Sequence, residues 1–359
     1  MKICIVGGIF DKPLEYREKH AFTPETILAS GLSLQGFEVT TLGHCFFQPS
    51  EEFDIVHVHH LGKGALRMAA APSPRSKFVF TSHNGPILCG YEKSLARSAA
   101  FCYVVNRSDA VVALCEAEAG LFCQIGNGPT RIEVIPNGIP SNVFRPPQHS
   151  QSERKSTYRI LFVGQLVPLK GVHILLQALK ALRGSWPLEL LLVYQTNHSA
   201  QRYRRFATEL GVADQVKFLG FLSVTELATT YRNVDLVVLP SFAECLPSVI
   251  TESLLSGTPV VATRVGGVPD QVGPFGELAK PGDVKGLASA IERVLTRLHY
   301  FTSSAPQMRA HAMKRFGVEK MIDAHIRLYQ DLLKRCWTKR NWPARMMDHA
   351  VKVLIRVNQ

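Results

Sequence analysis

Short apolar, β-branched runs recur along this sequence with helical patterns between several of them, and the series occurs twice. The first series is 2–6 (KICIV), 37–42 (FEVTTL), 53–58 (FDIVHV), 77–81 (KFVFT), 109–114 (DAVVAL) and 131–135 (RIEVI), with a helical pattern at 24–35 that stops at Gly36. The second is 159–163 (RILFV), 188–193 (LELLLV), 216–219 (VKFL), 235–239 (DLVVL) and 259–262 (PVVA). Helical patterns at 171–183, 200–210, 224–232, 247–256 and 284–298 separate or follow these runs. Such strands, alternating with helices, predict parallel sheets covered on both faces. Between the two series lies 146–157 (PPQHSQSERKST), which is polar, carries two prolines and reads as a linker. The expected architecture is α/β, with two doubly wound, Rossmann-like domains facing across a cleft. The 359 residues suit two domains at roughly 100–200 residues each. In such sheets ligands bind at the carboxyl ends of the strands.

Apolar residues make up 46% and charged residues 19%, which places the chain among folded rather than disordered proteins. The net charge of +12 favours phosphates, anionic headgroups or nucleic acid. No nucleic-acid motif is present, and the basic residues are scattered outside the tail, so no nucleic-acid partner is expected. The opening MKICIVGG runs straight into a strand, and no apolar stretch is of signal-peptide or membrane-spanning length. A cytoplasmic location is the expectation. None of the eight cysteines forms a CxxC pair, and most sit inside apolar runs, as reduced structural thiols do.

The segment with the most chemistry is 235–272, DLVVLPSFAECLPSVITESLLSGTPVVATRVGGVPDQV. A buried strand ends at Pro240-Ser241, a loop holds Glu244, and a helix begins near Pro247, a residue suited to a first turn because it lacks an N–H. Glu252 follows Glu244 by eight residues, about one and a half turns into that helix, so both acids can face one pocket. The N–H groups of Leu246, Ser248 and Val249 would surround a helix N-terminus, a ready anion site. Alone, an E-x7-E pair describes a capped surface helix with two solvated glutamates better than it describes a sugar site.

That whole segment resembles the retaining glycosyltransferases of GT-B fold known as group 1, or family 4: loop acid, helix acid, SGTPVVAT strand and GGVP turn come in the same order. The resemblance covers roughly residues 1–335. It implies that Glu252 holds ribose hydroxyls, that Glu244 contacts the transferred sugar, and that the backbone of Cys245, Leu246, Pro247, Ser248 and Val249 binds donor phosphate and sugar. A second matching segment, ILFVGQLVPLKG at 160–171, supplies Gly164, Gln165 and Lys170 to the donor. Lys170 would neutralise the diphosphate leaving group. Where the family usually carries Arg, this chain carries Gln165, which donates a hydrogen bond but no charge. His83 follows a buried strand and precedes Asn-Gly, and the resemblance gives it a contact with the donor sugar. The segment 131–144 resembles the family's interdomain strand and turn, which implies a positional role for Pro136–Gly138, with Asn137 a further candidate donor contact. Gly7 and Gly8 end the first strand, where backbone can approach phosphate. Lys19-His20 stand where many relatives carry Gly-Gly. The catalytic set is thus His83, Lys170 and Glu244.

No metal or cofactor is called for. There is no Asp-x-Asp, and His57 and His59 would point to one side of their strand with His60 on the other, a poor single-metal set. The expected domains are 1–150 on the acceptor side and 158–318 for the nucleotide sugar, with a helix over 319–335 that crosses back. In the tail, 336–359, Arg345, His349, Lys352 and Arg356 recur at helical spacing, with Met347, Ala350, Val353, Leu354 and Val357 opposite. That pattern fits an interfacial helix on an anionic membrane as well as a helix packed on the first domain. The expectation is transfer from a nucleotide-diphosphate sugar to an acceptor hydroxyl, with a lipid-linked or polysaccharide precursor as acceptor and peripheral attachment to the inner face of the membrane. The alternatives are a nucleotide-sugar-binding protein with weak or no activity and an epimerase of the same double fold.

Overall fold

The computed structural model describes residues 1–20, 22–48, 52–71, 73, 75–83, 94–125, 131–147, 157–195 and 199–334. Most of the expected linker and the whole 336–359 tail lie outside the described residues. The chain divides into two compact units: Met1–Gly138 with the chain from Val318 onward, and Ile139–Gly317.

The first unit holds strands β1 (Lys2–Val6), β2 (Glu38–Leu42), β3 (Ile55–His59), β4 (Lys77–Thr81), β5 (Ala110–Ala113) and β6 (Ile132–Val134). They form one sheet in the order β2-β1-β3-β4-β5-β6, every pair parallel. The described helices are α1 (Leu14–Lys19), α2 (Pro24–Leu34), α3 (Lys63–Ala70), α4 (Leu95–Arg107) and α5 (Glu116–Cys123). Thr23 caps α2 by accepting from the Thr26 N–H, and Pro24 stands in its first turn. The second unit holds β7 (Tyr158–Val163), β8 (Leu188–Val193), β9 (Val216–Gly220), β10 (Leu236–Leu239), β11 (Val260–Thr263) and β12 (Gly276–Ala279). Their order is β12-β11-β10-β7-β8-β9, again all parallel. Its helices are α6 (Val172–Leu182), α7 (Ala200–Leu210), α8 (Val224–Arg232), α9 (Ser248–Leu255), α10 (Val268–Val272), α11 (Val284–Thr296), α12 (Leu298–Ser303) and α13 (Ala305–Phe316). The last helix, α14 (Val318–Lys334), belongs to the first unit and packs on α2 through Ile322.

All eleven sequence-read strands coincide with observed ones to within about two residues at either end, the usual uncertainty of such boundaries, with 131–135 narrowing to three residues. β12 went unread because GELA has one apolar branched residue and a charge. It is a sheet edge, held by pairing with β11 and by Arg293 of α11, whose Nε donates to Glu277 at 3.0 Å. The helix expected over 319–335 is observed as α14, Val318–Lys334, and Gly317 separates it from α13. There the backbone is extended, and Ile139 N–H donates to Phe316 O at 2.9 Å, which ends α13 before α14 begins.

Strand register is fixed by a device used three times. Asp54, Asp109 and Asp235 each stand one residue before a strand. Each carboxylate accepts the N–H of a residue on the neighbouring strand, Lys2, Phe78 and Arg159, at 2.7–2.8 Å. Each Asp N–H donates back to that same residue's carbonyl at 2.8–2.9 Å. Asp109 and Asp235 are buried, so losing the acceptor strands an amide away from water. Asp235→Ala should destabilise the fold by about 1–3 kcal/mol, with Asp235→Asn costing clearly less. Chemical denaturation of the two variants checks this; equal losses would contradict it.

Candidate functional site

In the second unit the chain runs outward from β7 to β8 and β9, then returns to lay β10 on the other side of β7. The carboxyl ends of β7 and β10 therefore flank the point where strand order reverses, the usual ligand position in such sheets. Lys170 comes from the loop after β7 and Glu244 from the loop after β10. Lys170 Nζ donates to Glu244 Oε1 at 2.5 Å, and the fully buried Ser241 donates its hydroxyl to the same oxygen at 2.7 Å.

Two glycines let these loops lie against one another. Gly171 has φ +69°, and a Cβ there would stand 2.0 Å from the Pro240 carbonyl oxygen. Gly266 has φ +49°, and its Cβ would stand 2.0 Å from the Glu244 carbonyl oxygen. Both positions exclude a side chain on conformation and on space. Backbone bonds complete the lacing: Phe242 N–H to Leu169 O at 2.8 Å, and Gly267 N–H to Cys245 O at 2.8 Å. Thr263 donates its hydroxyl to Ser241 O. Gln165 is exposed beside this loop, and Gly164 precedes it at the end of β7.

The helix after Glu244 starts at Ser248, with Pro247 as its N-cap and no side chain capping it. Its first N–H groups, those of Ser248 and Val249, thus face out of the helix N-terminus, where partial positive charge gathers. Gln271, fully buried, donates to Pro247 O at 2.9 Å and to Thr251 Oγ1 at 2.7 Å, fixing that end. Arg309 of α13 holds the other end, donating to Leu255 O at 3.1 Å and to Phe144 O and Ser141 O at 2.7 Å each. With the helix starting at Ser248, Glu252 lies just over one turn in, less than the sequence spacing suggested. Its Oε2 accepts from the buried Tyr231 hydroxyl at 2.8 Å. Burial raises its carboxyl above the usual range, against the opposing hydrogen bonds from Tyr231 and Ser248.

In the first unit the reversal lies between β1 and β3. Gly7 follows β1, and its Cα sits under Glu25: a Cβ would fall 2.8 Å from Glu25 Cγ. Gly8 begins a 3-10 turn over Gly8–Asp11. Lys19 points into solvent and pairs with Glu15 at 2.8 Å, so the family's glycine position is here an exposed helix end. His83 ends β4's exit and receives His59 Nδ1 against its Nε2 at 2.9 Å. His60 Nε2 stands 3.2 Å from Glu25 Oε1. Burial alone would raise Glu25, but the hydrogen bond and charge of His60, with His83, leave it at about 2. Burial pushes His83 down to about 3 and His325 to about 4, and drives His57 and His59 well below the usual range. Asn137 lies in the turn before the end of this part of the chain, half-buried. Among the described residues no cluster of His, Cys, Asp or Glu has the geometry to hold a metal ion, and no helix is long and apolar enough to cross a membrane.

Residues 145–308 match the family of glycosyl transferases group 1, and 28–143 match glycosyltransferase family 4. D-inositol 3-phosphate glycosyltransferase of Acidothermus cellulolyticus is 30% identical over 313 residues, 78% of this chain and 68% of that protein. The chain belongs to the group 1 glycosyltransferases.

Other group 1 relatives are D-inositol 3-phosphate glycosyltransferase of Mycobacterium marinum, 31% identical over 77% of this chain, and MMP alpha-(1->4)-mannosyltransferase of Mycolicibacterium hassiacum, 28% identical over 79% of it. The match spans 63% of the length of the first of these and 72% of the second. Among solved structures, sucrose-phosphate synthase from Thermosynechococcus elongatus superposes with a TM-score of 0.80 at 19% identity, over 93% of this chain and 99% of that one. Anabaena HepE, solved with UDP-glucose, gives 0.73 at 23% identity, over 92% and 100%. These likenesses show the fold, two Rossmann-like domains of GT-B type.

Within this group 1 chain the structure brings together Gly164, Lys170, Glu244 and the start of α9, through loops laced at one switch point. Sequence reading missed Ser241, which touches Glu244 from the same loop, and Tyr231, Gln271 and Arg309, which touch Glu252 or α9 from distant elements. The only local signal was Ser241, three residues before Glu244. It also missed Glu25 and His59 as partners of the histidines.

The neutral histidines give a pH signature. Their folded pKa values lie below the unfolded value of about 6.5. Their stabilising share is therefore present above that pH and lost as pH falls through it toward 4 and 3. Thermal unfolding of the full chain should show a steady loss of Tm between pH 6.5 and 5, before the carboxylates protonate. A flat Tm over that interval would contradict the neutral, buried assignment.

Proposed function

We propose that this chain transfers a glycosyl unit from a nucleotide-diphosphate sugar to an acceptor hydroxyl, with retention at the anomeric carbon. The observation that carries it is the Lys170–Glu244 pair beside the uncapped N-terminus of α9, at the switch point of the second unit. That group offers a cation and outward N–H donors to an anion, and a carboxylate to hydroxyls. The sugar's C1–O bond to the diphosphate breaks as C1 bonds to the acceptor oxygen on the same face. The acceptor proton passes to the departing phosphate oxygen. Lys170 and the N–H groups of Ser248 and Val249 stabilise the charge that develops on that phosphate, in place of a metal ion. Gln165 adds a hydrogen bond where relatives in this family bring a guanidinium. Glu244 accepts from hydroxyls of the transferred sugar, and Glu252 from the ribose. The backbone of Cys245, Leu246 and Pro247, with Gly164, Asn137, Gly7 and Gly8, completes the donor contacts, and His83 touches the reacting sugar. The group 1 relatives named for glycosyl and mannosyl transfer, and the neighbours solved with UDP and UDP-glucose, support this reading.

A raised carboxyl pKa means that the fold disfavours Glu252's charge. Glu252→Gln should leave the unliganded protein at least as stable at pH 7 and abolish stabilisation by donor. In a thermal-shift panel of UDP-, GDP- and ADP-sugars, one donor at a hundredfold excess over Kd should add about 2.7 kcal/mol, a few degrees, to the wild type. A shift that survives Glu252→Gln would remove Glu252 from the donor site.

Gln165 favours a second reading, a nucleotide-sugar-binding protein of weak activity. Single-turnover assays with bound donor and acceptor separate the two: transfer supports the enzyme, and binding without product supports the second reading. The acceptor we propose is a lipid-linked or polysaccharide precursor, because the basic, apolar-faced tail suits an anionic membrane. Full-length protein should sediment with anionic vesicles, and deletion of 337–359 should release it; equal binding would sink the membrane role.

A further inference from the structure

Five imidazoles run in series through the first unit. The ring of His325, on α14, lies 5.4 Å from that of His57; His57 lies 4.3 Å from His59, His59 5.2 Å from His83, and His83 4.6 Å from His60. Glu25 closes the series through His60. His57 and His59 share one face of β3 because side chains on a strand alternate. Among the described residues, His60 (φ 65°) and His83 (φ 48°) are the two non-glycine residues with positive φ. Such backbone is strained and persists where the surroundings enforce it.

The hydrogen bonds decide where the protons sit. His57 is satisfied at both nitrogens, Nδ1 against the Tyr329 hydroxyl at 2.6 Å and Nε2 against Thr81 Oγ1 at 2.7 Å. His59 is not. Its Nδ1 faces His83 Nε2 at 2.9 Å, while its own Nε2 is buried and has no partner among the described residues. A neutral imidazole carries one N–H. With the proton on Nε2, His59 would bury a donor with no acceptor; with it on Nδ1, the donor is used and only a lone pair goes unmet. Orphaned buried N–H groups are the rarer and costlier case. His59 therefore donates from Nδ1 to His83 Nε2. His83, accepting there, keeps its single proton on Nδ1, which has no partner among the described residues.

We propose that His59 is a positioning residue that fixes His83 in its Nδ1–H tautomer, so that His83 meets the reacting sugar as a hydrogen-bond donor. This rests on the reading of His83 as a sugar-contacting group. The oxygen His83 recognises is then an acceptor, a sugar hydroxyl or ring oxygen. His60 backs the arrangement against the opposite, protonation-favouring charge of Glu25. The ionised Glu25 takes the His60 Nε2–H, and His60 in turn sits against the His83 ring, where charge on it opposes protonation of His83.

The direct test needs no altered His59. Full-length protein labelled with 15N-histidine is examined by long-range 1H–15N correlation, and the His83 signals are assigned by their loss in His83→Gln. The expected pattern is a neutral ring protonated at Nδ1; a ring protonated at Nε2 overturns the proposal. Two variants then separate positioning from packing. Asn at 59 can donate from near the Nδ1 position, whereas Leu cannot. With wrong tautomers known to cost several orders of magnitude elsewhere, His59→Leu should lower kcat on the order of tenfold or more while donor KM stays within about threefold. His59→Asn should restore most of that loss. Equal losses in both, in proteins with wild-type Tm, overturn the positioning role. An Nδ1-protonated His83 together with wild-type turnover in His83→Gln would leave the tautomer standing and overturn the sugar-contacting reading on which the rest depends.

Discussion

The ion pair of Lys170 and Glu244 organises the carboxyl edge of the second unit. Each residue stands on a loop that leaves one of the two strands flanking the switch point. Each loop is held by glycines that no other residue can replace without moving backbone. An ion pair largely removed from water contributes little to stability on balance, because desolvation offsets much of the attraction. Its value here is positional. In the unliganded protein Glu244 keeps Lys170 in place and neutralised. In the proposed function a diphosphate takes over the ammonium, which frees the carboxylate to accept from sugar hydroxyls. Ser241, Thr263 and Gln271 brace the pair and the helix behind it, so little reorganisation remains when charge develops on a leaving group.

The sheet scaffold was legible because its signal is local. A strand buried on both faces announces itself by a short run such as VVLP or ILFV, and a helix by its period and stops. The E-x7-E spacing and Lys170 were legible for a different reason: they lie in continuous segments with a fixed order of turns. What could not be read is what comes from the third dimension. Tyr231 is 21 residues from Glu252, Gln271 is 24 from Pro247, and Arg309 reaches carbonyls up to 168 residues away. Nothing in the spacing of these residues marks them as supports. β12 was missed because its stability comes from a neighbour and an arginine rather than from its own composition.

The histidines show the same limit from the other side. Read along the strand, His57, His59 and His60 only argued against a metal site. In the folded unit His57 is tied to Tyr329 of the last helix and to Thr81 of β4, and His59 to His83 beyond it. Burial keeps these rings neutral, and neutrality turns hydrogen-bond direction into a definite property of each ring. Gln165 is one point where this chain departs from the family pattern, and on the proposed reading it shifts the weight of leaving-group stabilisation onto Lys170 and the N-terminus of α9.

Lys170 and the α9 N-terminus are proposed to bind the donor through its diphosphate. Calorimetric titration of the full chain with the nucleoside diphosphate and with the matching monophosphate tests this most directly, in the wild type and in Lys170→Met. The wild type should bind the diphosphate at least tenfold more tightly than the monophosphate, about 1.4 kcal/mol or more, and Lys170→Met should remove most of that difference while leaving monophosphate affinity nearly unchanged. Equal affinities in the wild type, or a preference for diphosphate that survives Lys170→Met, would contradict it.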